Sequence, residues 1–148
     1  MRNDASFLDT SGWMALLNSG DRNHASAVAA WREIVRLKKL VVVTDWIIAE
    51  TGNGLARSRF RRLFVEAVRL LSTSREFRIV YVDDELLTRA IELYQTRPDK
   101  DWGLVDCASF VLMNEEDIGE ALTSDRHFEQ AGFRRLLGRS EDRNAPDH

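Results

Sequence analysis

The sequence predicts a single α/β domain on a predominantly parallel sheet, and three observations predict it. Short apolar runs of strand type alternate with longer stretches of helical periodicity along the whole chain. No internal repeat and no Gly/Ser-rich linker divides them. The 148 residues suffice for one hydrophobic core that buries about 70% of the surface an unfolded chain exposes.

The first strand candidate is Ser6 to Asp9, and a helix follows it. Asp21 to Leu37 reads as a second helix before the strand Leu40 to Thr44, whose apolar residues face both ways as a buried parallel strand requires. A helix beginning near Asp45 precedes one in which Phe60, Leu63, Phe64, Ala67, Val68, Leu70 and Leu71 recur at helical spacing. Phe77 to Val82 is the third strand. Leu86, Leu87, Ala90, Ile91 and Tyr94 mark the next helix, and Leu104, Val105, Ala108, Val111 and Leu112 the one after it. Ala121 to Ser124 and, more weakly, Arg134 to Leu137 are the last strands. Asp21, Asp45 and Asp83 each stand just before a periodic run, where a side-chain oxygen caps free amides. The order is β-α-α-β-α-α-β-α-α-β-α-β, and right-handed crossovers make such a sheet predominantly parallel. The domain is expected over residues 1–138, with residues 139–148 a polar, disordered tail.

Lys and Arg total 21 against 24 Asp and Glu, a formal charge of −3, which excludes a module that wraps nucleic acid by bulk positive charge. Cys107 is the only cysteine, so neither a disulfide framework nor a Cys-based zinc knuckle is available. No secretory pattern follows the first residues, and the longest aliphatic run, Leu40 to Val43, is far short of the ~20 residues of a membrane span. These features suit a soluble protein of the reducing cytoplasm.

Ligands of parallel sheets collect outside the carboxyl ends of the strands. Asp9 ends the first strand, Glu50 lies in the first turns of the helix after the second, and Asp125 follows the fourth. Asp106 sits in the first turn of a late helix: with Gly103 as N-cap it occupies N3, where it either answers the helix dipole or joins the other acids. Four carboxylates at one edge repel one another unless cations lie between them. A site of carboxylates without Cys favours Mg²⁺ or Mn²⁺, and such ions serve phosphodiester hydrolysis.

At these motifs the chain resembles the PIN-domain ribonucleases, and within them the VapC-type toxins of toxin–antitoxin pairs. The resemblance spans roughly residues 6 to 138. It rests on Phe-Leu-Asp9-Thr-Ser, Ile-Ile-Ala-Glu50-Thr, Leu-Val-Asp106-Cys-Ala-Ser-Phe and Leu-Thr-Ser-Asp125-Arg-His-Phe-Glu-Gln-Ala-Gly-Phe, in that order. It implies a PIN-like three-layer α/β/α sandwich with a central sheet of about five strands. It also implies RNA cleavage by a metal-activated water, with Asp9, Glu50, Asp106 and Asp125 holding one or two Mg²⁺ or Mn²⁺ ions. A VapB-like antitoxin and a homodimer are the partners it implies, the long helix around Trp31 contributing to both contacts. Asp101 is then either a supporting acid behind the ligands or a surface charge.

Thr10 and Ser11 either orient Asp9 or cap the helix after it. Arg57, Arg59, Arg61 and Arg62 crowd one connection and offer charge to RNA phosphates, as do Arg126, His127, Arg134 and Arg135 nearer Asp125. Trp46, one helical turn from Glu50, and Trp102 are placed either to pack in the core or to stack a base. Cys107 reads as a small buried hydrophobe and His24 as a surface residue. Four other readings compete. A haloacid dehalogenase-type phosphatase needs a second Asp where Ser11 stands. A receiver domain needs paired acids, and the first strand supplies only Asp9. A solitary RNA-processing nuclease or a non-catalytic binding protein of the same fold would keep the architecture.

Overall fold

A computed structural model describes residues 4–138; the expected disordered tail lies outside them. The elements are β1 (Ala5–Leu8), α1 (Thr10–Leu17), α2 (His24–Arg36), β2 (Leu40–Thr44), α3 (Asp45–Leu55), α4 (Arg61–Ser72), β3 (Phe77–Val80), α5 (Asp84–Thr96), α6 (Leu104–Glu115), β4 (Glu120–Leu122), α7 (Arg126–Gln130) and β5 (Arg134–Arg135). Their order is the one read from the sequence. All five strands are parallel, in the spatial order β3-β2-β1-β4-β5. With right-handed crossovers, α1 to α4 cover one face, and α5 to α7 cover the other once the chain doubles back past β1. The result is a three-layer α/β/α sandwich.

Several ends differ from the expected ones. β1 stops at Leu8 because Asp9 turns out of the strand as the N-cap of α1, and β3 stops at Val80. α2 begins at His24 rather than Asp21, whose carboxylate accepts the amide of Asn23 in a turn one residue short of the helix. Thr44, not Asp45, caps α3 by accepting the amide of Ile47, while Asp45 reaches across to the amide of Val82. Asp83 caps α5 through the amide of Leu86, and Gly103 is the N-cap of α6, both as predicted. His24 is half-buried, its Nδ1 hydrogen-bonded to the carbonyl of Ala15 at 2.7 Å, so it ties α2 to α1 instead of standing at the surface. No helix of the described residues is long and apolar enough to cross a membrane.

The core follows from the apolar strands. Phe7, Leu8, Val42, Val43 and Leu122 are buried at the sheet centre. A chain of rings, Trp102 on Phe110 at 5.0 Å, Phe110 on Phe128 at 4.9 Å and Phe128 on Phe7 at 6.2 Å, locks α6 and α7 to β1. Each edge-to-face pair adds about 1 kcal/mol to the area it buries. On the opposite face Trp13 packs edge-on against Phe64 and Phe77. Between α7 and β5, Gly132 takes φ +94°, a left-handed turn that a side chain would strain.

Gly12 sets how closely α1 lies on the sheet. A Cβ there would stand 2.1 Å from the carbonyl oxygen of Leu122 in β4, a backbone atom with nowhere to go. Gly12→Ala therefore lifts α1 off β4. We expect a loss of about 3 kcal/mol, read as a melting temperature lower by roughly 10 °C in calorimetry. An unchanged melting temperature would show that the contact is not tight.

Candidate active site

The sheet reverses direction of build at β1, whose two neighbours are reached by crossovers on opposite faces, so a crevice opens where the carboxyl ends of β1 and β4 diverge. Strand register fills it. Phe7 pairs with Ala121 and Leu8 with Leu122, which sets Asp9 beside Thr123. The Thr123 hydroxyl donates to Asp9 Oδ2 at 2.8 Å. Ser11 Oγ lies 3.1 Å from the same oxygen and 3.0 Å from Thr123 Oγ1, and accepts the amide of Ser124. Asp9 is only 6% exposed. Burial pushes its carboxyl up to about 6 and the charge of Asp106 adds to the rise, while the hydroxyls of Thr123 and Ser11 and the amide of Thr10 pull the other way.

The other acids arrive from three different elements. Glu50, exposed on α3, accepts the Thr10 hydroxyl at 2.5 Å. Asp106, in the first turn of α6, accepts the amide of Gly103 at 3.1 Å, and its Oδ2 is hydrogen-bonded with His127 Nδ1 at 3.0 Å. Burial raises its pKa and the nearby charge of Asp125 adds to this, with the Gly103 amide and His127 opposing. Asp125 caps α7 by accepting the amide of His127 at 2.9 Å, and its own amide donates to Thr123 Oγ1. Asp106 therefore both caps a helix and faces the other acids. Asp9, Glu50, Asp106 and Asp125 line one open cleft of about 370 Å³. Ligand atoms of Asp106, Asp125 and His127 fall within 4.8 Å of one another. The donors are hard oxygens with one imidazole, and burial, with a smaller contribution from like charges, already pushes Asp9 and Asp106 toward protonation; this set fits a divalent cation such as Mg²⁺ or Mn²⁺.

The remaining predicted residues are distributed around this cleft. Thr10 and Ser11 lie inside it, each bonded to an acid. Arg126 is exposed on the first turn of α7. Arg57 is exposed in the α3–α4 connection and Arg61 at the start of α4, where it donates to the carbonyl of Ala56. Asp101 is exposed in a neighbouring concavity and does not line the acidic cleft. Arg135 is buried, pairing with Glu129 at 3.0 Å and donating to the carbonyl of Ser124 at 2.9 Å, so it braces the loop before Asp125 rather than meeting phosphate. Trp102 is core, Trp46 is partly buried against the core, and Cys107 is buried with its thiol pKa pushed up by burial.

Two participants were not assigned to the site from sequence. Thr123 bonds two of the acids, and only the β1–β4 register shows it. Asp21, read as a helix cap, lines the cleft as a fifth acid, because the His24 tether folds the α1–α2 turn over the carboxyl edge.

Asp9 supplies a test of this electrostatics. Its folded-state pKa near 6 exceeds its unfolded value of 3.8, so the folded chain holds the proton that the unfolded chain releases. The contribution of Asp9 to metal-free stability is then greatest below about pH 4 and falls by roughly 3 kcal/mol as pH rises to about 6. Asp9→Asn removes that slope. In chelator at pH 8 the variant melts higher than the wild type, and the difference shrinks as pH approaches 4. A variant that melts lower throughout would refute the strained carboxylate.

Comparison with known proteins gives the fold a family. The family model described as PIN domain matches residues 6–134. The 23S rRNA-specific endonuclease VapC20 of Mycobacterium tuberculosis, in strains CDC 1551 and H37Rv, is 31% identical over 127 residues, covering 86% of this chain and 94% of the relative. The crystal structure of the M. tuberculosis VapC20 toxin, which cleaves the sarcin–ricin loop, superposes with a TM-score of 0.79 at 29% identity over 90% of this chain and all of that one. The sandwich thus has a family: the chain belongs to the PIN domain proteins.

Proposed function

We propose that this chain is a metal-dependent endoribonuclease, the toxin of a VapBC-type pair acting in the cytoplasm. Asp9, Glu50, Asp106 and Asp125 hold one or two Mg²⁺ or Mn²⁺ ions. The observation that carries this reading is the meeting of four carboxylates from four separate elements in one cleft of a PIN domain chain. A protein without a cation there gains nothing from a buried, destabilised Asp9.

Each residue has a task that follows from its contacts. Ser11 and Thr123 fix the Asp9 carboxylate so that it needs no rearrangement when a cation arrives. Thr10 does the same for Glu50, and His127 and the Gly103 amide for Asp106. When bound, a divalent cation supplies Lewis-acid stabilisation of the phosphoryl oxygens and makes water a nucleophile at neutral pH. Arg126, Arg57 and Arg61 bind flanking phosphates. His127 donates toward Asp106 and Asp125 and so orients both. The substrate is RNA, and 23S rRNA, the target named for the M. tuberculosis relative, is the first to try.

The antitoxin's seat is the apolar groove between α2 and α4. α4 has an apolar stripe yet no fully buried residue, and Leu70 is 73% exposed. Trp31 and Leu71 line two adjoining concavities of about 300 and 340 Å³ there. Trp13, Leu16 and Leu17 of α1 contribute to the second. The expected homodimer is read by light scattering.

Purified protein is expected to cut RNA with Mg²⁺ or Mn²⁺ and to stop in chelator. Asp9→Asn and Asp106→Asn lower kcat by at least about a hundredfold with unchanged circular dichroism. In parallel, Mn²⁺ raises the melting temperature of the wild type at pH 8 more than that of either variant. Cleavage that survives chelator or both substitutions would overturn the reading.

A further inference from the structure

We propose that the concavity between the end of α5 and the start of α6 is a nucleotide subsite that stacks one base of a single-stranded RNA segment beside the scissile phosphate. The inference rests on the ribonuclease reading and adds a specificity element to it. The concavity holds about 630 Å³, ample for a nucleoside, and lies among Tyr94, Arg97, Lys100, Asp101 and Gly103. Gly103 joins it to the acidic cleft, because the Gly103 amide donates to Asp106 Oδ2 at 3.1 Å. One hydrogen-bonded pair thus forms the boundary between the two depressions, and a strand lying across Asp106 carries its next nucleotide over Gly103.

The lining suits a base more than a second phosphate. Trp102 is held by packing on Phe110 and by its Nε1 donating to Gln130 at 3.1 Å. Arg97 lies over the Trp102 ring, 5.1 Å from its centroid, and is gripped by both carboxylate oxygens of Asp99 at 2.9 and 3.0 Å. The guanidinium plane is therefore ordered before any ligand arrives, and its charge is matched by Asp99. Asp101 adds a negative charge that a phosphate would avoid, leaving Lys100 as the cation for the backbone. Tyr94 is 55% exposed in the last turns of α5 and is offered as a second flat surface. Ordered guanidinium planes and tyrosine rings are what bases stack on, at a cost in order already met by the fold.

The test uses the full chain carrying Asp9→Asn to prevent cleavage, with a fluorescein-labelled RNA hairpin of the sarcin–ricin loop sequence followed by anisotropy in Mg²⁺. Tyr94→Ala is expected to weaken binding about tenfold or more, and Tyr94→Phe to bind within about threefold of the parent. Arg97→Lys, which keeps the charge but loses the plane, weakens binding as much as Arg97→Gln. Restoration by Arg97→Lys, or Tyr94→Ala binding within about twofold of the parent, overturns the stacking subsite. In the Asp9-containing protein, Tyr94→Ala raises KM for the hairpin while kcat stays within about threefold. If that protein cleaves RNA but its KM does not respond to Tyr94→Ala, the subsite alone fails; if it cleaves no RNA at all, the ribonuclease reading fails with it.

Discussion

The buried Asp9 carboxylate is the constraint on which the rest of this structure depends. A carboxylate removed from water is costly unless its oxygens are satisfied, and here two hydroxyls from separate segments supply the bonds. Those hydroxyls are in place only if β1 and β4 are adjacent in one register and α1 starts immediately after β1. Gly12 allows the second condition by letting the helix rest on the Leu122 carbonyl. The geometry of one oxygen atom thus fixes a strand pairing, a helix start and a glycine.

The remaining acids are carried by elements that the core locks to the same reference. The ring chain from Trp102 to Phe7 holds α6 and α7 against β1, so Asp106 and Asp125 cannot drift independently of Asp9. Arg135, drawn inward by Glu129 and the Ser124 carbonyl, stiffens the loop ahead of Asp125. Like charges are held close by packing that acts elsewhere, an arrangement in which stability is given up locally and recovered in the apolar layers.

Much of this was legible in the sequence because the signals are local. The two-sided apolar runs gave the strands, the stripe from Leu104 to Leu112 the helix that bears Asp106, and Gly103 with Asp106 at N3 the start of that helix. The helix after β2 starts at Asp45 as read, but Thr44 takes the cap because Asp and Thr compete for the same capping geometry, and Asp21 instead closes a turn on the amide of Asn23 ahead of α2. What stayed hidden depends on pairing across the chain. Thr123 is an ordinary strand residue until β4 lies beside β1, Arg135 an ordinary surface cation until Glu129 faces it, and Asp21 an ordinary turn residue until His24 draws its loop inward. His24 itself gave no sign, since a histidine on a polar helix end is usually solvated.

The pairing of Asp9 with Thr123 spans 114 positions. A ribosome making this chain releases Asp9 first, then Glu50 and Asp106, while β4 and the loop bearing Asp125 are among the last described segments to emerge. The crevice has only one wall until then. A nascent chain therefore has no assembled cleft, and the interval between synthesis and competence is the time needed for the late strand β4 to add to the open edge of β1. The topology acts as a built-in delay between synthesis and an assembled cleft.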